Sequence, residues 1–146
     1  MTRIDEKDAM HLAVMRKYLR LASLFVDGMS LDEFMDDSSV QAQLATAMAI
    51  AQVGEHVKKL SPQLRAQEDA ADWRAIAGTR DWLVHRYDDV DLEILYDSIV
   101  NEVPELMSLI SSLLEEHAVD FTSSAELETL ALPMPSDENS GNAKTI

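Results

Sequence analysis

The stretch SSVQAQLATAMAIAQVGEHVKKLSP, residues 38–62, decides the fold. From Val40 to Leu60 it has no proline and one glycine, Gly54. Ala, Leu, Met and Gln dominate it, and all are good helix formers. Ser38 and Gln41 have the spacing of a capping box, and the Ser61–Pro62 pair closes the run, so the pattern predicts a helix from about Ser38 or Ser39 to Leu60. Leu44, Met48 and Ala51 fall on one face of that helix, and Ile50, Val53, Val57 and Leu60 on another. A helix apolar nearly all round belongs in the middle of a bundle.

On the N-terminal side, a helix is predicted from about Asp5 to Asp27, ended by Gly28. Val14, Tyr18, Leu21 and Phe25 recur along it at three- and four-residue steps, as one buried stripe requires, and Arg16, Lys17 and Arg20 make its most basic turn. Ser30 and Glu33 form a second capping box and start one short turn. On the C-terminal side, residues 61–72 form a polar connection in which Pro62 opens a short helix. A further helix covers roughly Trp73 to Val84, and another follows the acidic turn DDVD, residues 88–91, with Asp91 as its cap. Leu92, Leu95, Ile99, Val103, Leu106, Ile110 and Leu113 keep a near-heptad rhythm, which Pro104 is expected to kink or split. After about Asp120 periodicity stops. The expectation is an all-α, antiparallel bundle of four to five helices over residues 1–120. A flexible acidic tail then spans 121–146, and its LETLAL segment, residues 127–132, offers a partner something apolar to hold.

The formal net charge of −15 is unevenly spread. Residues 1–86 carry 11 Lys and Arg against 13 acids, a balance of −2, while residues 87–146 carry Lys144 alone against 14 acids, a balance of −13. Phosphate binding relies on Lys and Arg, so a uniformly acidic protein should repel nucleic acid; the first half, close to neutral, leaves room for a local basic site, and the acidic half suits a basic protein partner or plain solubility. No run reaches the roughly 20 apolar residues of a membrane span. The charged start lacks the apolar core of a signal peptide. With no cysteine there is neither a disulfide framework nor thiolate chemistry. These features read as a cytoplasmic protein off the membrane.

The chemistry-bearing candidates gather in RDWLVHRY, residues 80–87. The apolar stripe of that helix reads Trp73, Ile76 with Ala77, Leu83 with Val84, then Tyr87, and Arg80 occupies one of its places. An unpaired guanidinium is costly to bury, so Arg80 either pairs with an acid such as Glu55 on the neighbouring helix, snorkels outward, or faces a cleft. His85 follows five residues later, about 140° round an unbroken helix, and stacks above Asp81. Arg80 and His85 therefore share a site only if the helix ends near Val84 or if a second subunit completes it. Tyr87 returns to the face of Arg80 and on its own reads as a core tyrosine with a wet hydroxyl. Glu55 has Lys59 at the helical i+4 position. His11, His56 and His117 lack metal-ligand spacing, and no phosphate loop or nucleophile elbow occurs; no metal and no cofactor are implied.

Taken together, Arg80, Asp81, His85 and Tyr87 resemble the R-x4-H-x-Y signature of HEPN-domain toxins of the HepT family. Residues 30–64, with the Gly54–Glu55 pair and the Leu-Ser-Pro end, look like that family's first loop and second helix, and the likeness extends over roughly residues 5–114. His56 stands after the Gly-Glu pair where the family more often has a small residue. The resemblance implies a homodimer whose motifs face one another across a cleft, and metal-independent endoribonuclease activity in which the ribose 2′-hydroxyl attacks the adjacent phosphate. In that scheme Arg80 and His85 are catalytic, while Asp81, Tyr87 and Glu55 support them. The resemblance also implies a nucleotidyltransferase antitoxin that transfers AMP to Tyr87. The competing reading is a non-catalytic helical partner, or substrate-binding subunit, of a nucleotidyltransferase.

Overall fold

A computed structural model of the chain describes residues 4–116. Every regular element among them is helical: α1 (Glu6–Phe25), α2 (Leu31–Met35), α3 (Val40–Lys58), α4 (Pro62–Gln67), α5 (Trp73–His85), α6 (Leu92–Asp97) and α7 (Val103–Glu116). The expected tail, residues 121–146, lies outside the described residues.

Local chemistry sets most boundaries. Asp5 caps α1 through the Asp8 amide at 2.7 Å, and Gly28 ends the turn after it at φ +74°, a conformation that favours glycine. Ser30, Ser61, Asp72 and Asp91 cap α2, α4, α5 and α6 as side-chain acceptors. The start of α3 differs from expectation. Ser38 does not cap it; instead Asp36 accepts from the Ser38 amide at 2.8 Å and holds a 3₁₀ turn, Asp37–Ser39, in front of it.

The core forms where α1 packs between α3 and α7, with α5 laid on the other side of α3. Leu12, Met15, Leu19 and Ala22 line the buried side of α1, whereas Phe25, expected in its stripe, is 39% exposed. Leu95, Ile99, Val103, Ile110 and Leu113 supply the other wall. The α-helix of that wall is split ahead of Pro104, as expected. A π-helical turn, Ser98–Glu102, joins α6 to α7 and places the proline in the first turn of α7, where a missing N–H costs little.

Two pairings are antiparallel. His11 meets His56, and Asp8 meets Ser61 just beyond the end of α3, so α1 and α3 run in opposite senses. Arg16 reaches Ser111, and Leu19 lines one cavity with Val103 and Leu106, so α7 has the same relation to α1. The pairing of α3 with α5 breaks the expected rule. Gly54 lies against Ile76 and Arg80, Glu55 against Arg80, and Lys58 against Asp81, so contacts advance together along both helices. The two cross in the same sense because α4 and residues 68–72 carry the chain back before α5 begins. A further difference concerns α3, whose Val40, Leu44 and Met48 stay 47%, 50% and 59% exposed, so one face of this central helix is uncovered.

Candidate functional site

The crossing of α3 and α5 builds the site. A Cβ on Gly54 would stand 2.5 Å from the Arg80 Cβ and 2.9 Å from the Ile76 carbonyl oxygen. Glycine therefore lets the two backbones approach, and that approach delivers Arg80 to Glu55. The Arg80 Nε lies 3.0 Å from Glu55 Oε2, an ion pair. Its Nη1 donates to Asp81 Oδ1 at 3.0 Å, and the same oxygen accepts from Lys58 Nζ at 2.6 Å. Of the three fates open to Arg80, the structure shows the ion pair with Glu55, while its side chain remains 27% exposed. Glu55 thus pairs with Arg80, not with Lys59.

Glu55 and Asp81 hold the guanidinium through two different nitrogens, Nε and Nη1, which restricts its plane. The four charges cancel: Arg80 and Lys58 against Glu55 and Asp81. Hydrogen bonds from Lys58 and then Arg80 hold the Asp81 carboxyl below the usual carboxylate range. Asp81 is thereby committed to Arg80 and Lys58, and it makes no hydrogen bond to His85 among the described contacts.

His85 is the last residue of α5 and is exposed. The helix does not turn back before it: the Arg86 amide still donates to the Trp82 carbonyl at 2.8 Å. Arg80 and His85 therefore keep the offset of about 140° that an unbroken helix imposes, and one chain does not bring them together. Arg86, past the helix end, stands 5.0 Å over the Trp82 ring, a cation–π contact. Tyr87 opens a 3₁₀ turn, Tyr87–Asp89, and packs half-buried against the core. Burial first, and the adjacent Asp88 second, push its phenol above the ordinary value, so the hydroxyl is neutral near pH 7.

Two contacts escape the sequence. Lys58 has no local signal tying it to Asp81, 23 residues away. The His11 and His56 rings meet across α1 and α3 with Nδ1 atoms 3.0 Å apart, a pairing that spacing along the chain does not reveal.

Among the described residues the fold is all-helical, with an arginine–carboxylate pair at a glycine crossing and a histidine at the adjoining helix end. The family model described as ribonuclease HepT-like matches residues 15–113. A provisionally named RNase of Caldanaerobacter subterraneus subsp. tengcongensis is 32% identical over 91 residues, covering 62% of this chain and 80% of that protein. A provisionally named RNase of Methanocaldococcus jannaschii is 28% identical over 92 residues, covering 63% and 74%. A provisionally named ribonuclease HepT of Thermococcus cleftensis is 26% identical over 88 residues, covering 60% and 78%. No solved structure matches. The chain belongs to the ribonuclease HepT-like family.

Proposed function

We propose that this chain is a metal-independent endoribonuclease, the toxin of a toxin–antitoxin pair, with its site completed between two copies in the cytoplasm. The observation carrying this reading is the Arg80 guanidinium held by Glu55 and Asp81, five residues before the helix end at which His85 is exposed. The ribose 2′-oxygen attacks the adjacent phosphorus, the bond from phosphorus to the 5′-oxygen breaks, and a cyclic phosphate and a free 5′-hydroxyl result. One His85 accepts the 2′-hydroxyl proton, and His85 of the second copy protonates the leaving oxygen. Arg80 holds the phosphate and the charge that grows on it.

The need for a second copy is supported by the 140° offset and by the uncovered face of α3. Val40, Leu44 and Met48 fall on one stripe, which continues two turns on from Met48 to Glu55, and Val84 adds exposed apolar surface one turn beyond Arg80. A two-fold partner seated there buries this surface and sets one copy's His85 beside the other's Arg80. The cleavage assay separates the readings: His85→Ala and Arg80→Lys should each abolish RNA cleavage and growth arrest, and full activity in both variants refutes the assignment.

The off-switch in this reading is Tyr87. A nucleotidyltransferase antitoxin transfers AMP to its oxygen from a nucleoside triphosphate, releasing pyrophosphate. Because the phenol is held neutral, the antitoxin has to supply the base that takes its proton. The added phosphate then occupies the anion site near Arg80. Co-expression should add one AMP mass to wild type and none to Tyr87→Phe; an unmodified wild type rejects the switch. The balance of −13 over residues 87–146 favours a second reading, a non-catalytic subunit that binds a nucleotidyltransferase. That reading predicts a stable heterocomplex and no cleavage by the purified chain between about pH 6 and 8.

A further inference from the structure

The group of Arg80, Lys58, Glu55 and Asp81 is electrically balanced, so attraction for a polyanion has to come from elsewhere on the surface. A second group of bases lies across the exposed face of α3. There the His11 and His56 rings tilt against each other with centroids 5.2 Å apart and Nδ1 atoms 3.0 Å apart. Lys59, then Lys7, act on His11 from α3 and α1, and Lys59 acts on His56 as well. The carboxylates facing the pair are Asp5 and Asp8 from α1 and Glu55 from α3. Each is already engaged: Asp5 caps α1, Asp8 accepts from the amide and hydroxyl of Ser61, and Glu55 holds Arg80. Both rings are held below their ordinary value: His11 by desolvation first and then by Lys59 and Lys7, His56 by desolvation first and then by His11 and Lys59. With both rings neutral, Lys7 and Lys59 only balance Asp5 and Asp8, so a positive excess appears when a ring takes up a proton, which a bound anion would favour.

Its place is informative. At about 100° per residue, Lys58, Glu55, Lys59 and His56 follow one another round the C-terminal end of α3. Arg80 borders this arc on the α5 side and His11 on the α1 side. The arc is about one helix wide, roughly 10 Å, a span that one or two nucleotides bridge. Lys7 and His11 lie outside the matched residues 15–113.

We propose that His11, His56, Lys7 and Lys59 form a second phosphate subsite, which grips a phosphodiester of the same RNA strand that presents its scissile phosphate at Arg80. This rests on the ribonuclease reading for its substrate, while the subsite itself is testable without cleavage. A bound phosphate accepts from the lysines and from a protonated imidazole, so binding draws a proton onto the pair and tightens as pH falls from about 7 to 6.

The test follows the His11 and His56 ring nitrogens by NMR in the full chain. The probes are inorganic phosphate and a short 2′-O-methyl RNA, which lacks the attacking hydroxyl. The RNA should move both rings and raise their titration midpoints. Lys59→Gln, an exposed change that spares the fold, should weaken RNA binding about threefold to fivefold and flatten the slope of log affinity against log salt by about 0.7. Unmoved rings together with unchanged affinity in Lys59→Gln overturn the proposal. Rings that answer to free phosphate alone overturn it too, since they mark an adventitious ion only. If the rings respond to RNA but the wild-type chain cleaves none, the subsite stands and the nuclease reading falls; rings that stay still while cleavage proceeds give the reverse.

Discussion

Replacing Gly54 by alanine is the sharpest test of how this site is assembled. The new Cβ would sit 2.5 Å from the Arg80 Cβ, 2.9 Å from the Ile76 carbonyl oxygen and 3.4 Å from the Arg80 Cα. Carbon pairs rest at about 3.5–4.0 Å, and these neighbours are helix backbone or fixed to it, so α5 has to retreat by about 1 Å. Overpacking against rigid neighbours costs about 1–3 kcal/mol, and this contact belongs at the upper end. Alanine returns up to about 1 kcal/mol of helix propensity. The net loss is about 2 kcal/mol, or roughly 8 °C in Tm for a chain of this size. The retreat also draws Arg80 from Glu55, so RNA cleavage should fall with stability. Gly78, in the same helix α5, has nothing within 4 Å of its added Cβ. There the same substitution should stabilise by about 0.5–1 kcal/mol. Thermal unfolding followed by circular dichroism measures both. A Tm for Gly54→Ala equal to or above that of wild type would refute the close-approach argument.

The His11–His56 pair should make stability depend on pH. Both folded values lie below the ordinary 6.5, so the unfolded chain binds more protons near pH 6 and stability declines as pH falls through that value. Urea midpoints at pH 7.5 and 5.5 should show this, and His56→Gln should shrink the difference. Asp81→Asn removes one of the two carboxylates that balance Arg80 and Lys58. It should leave Tm nearly unchanged and steepen the salt dependence of RNA binding, measured by fluorescence anisotropy. Met48→Glu places a charge on the uncovered face of α3 and should shift sedimentation toward monomer at micromolar concentration while helicity is retained.

Most of the helices were legible because their signals are local. The caps at Ser30, Asp91 and the Ser61–Pro62 break depend on neighbours within four residues, and the structure honours each. The sense of α5 was not legible, since it depends on where α4 and residues 68–72 return the chain. The uncovered face of α3 was read as core for a related reason: periodicity reports that Leu44 and Met48 are apolar and says nothing of which molecule covers them. At the site, Arg80 was visible as a charge in an apolar stripe, and its pairing with Glu55 was one of the outcomes that pattern allowed. The fixed 140° offset from His85 was also legible, once the helix proved to run through His85. Lys58–Asp81 and His11–His56 required the tertiary fold, because they join residues 23 and 45 positions apart.

The π-helical turn ahead of Pro104 has a bearing on how this chain tolerates changes of length. Leu95, Ile99 and Val103 are separated by two successive four-residue steps. In an ordinary helix two such steps overshoot two turns by about 80°. The wider turn at Ser98–Glu102 absorbs the surplus, so that Ile110 and Leu113 still reach the core. One residue of slack is stored there. Deleting a single residue from Ser98–Glu102 would tighten the turn to an α-helix and leave α7 seated. The same deletion within α7 would swing every residue after it by about 100°, turning its buried stripe out of register with the core. Gaps in this part of the chain should therefore fall within these five residues.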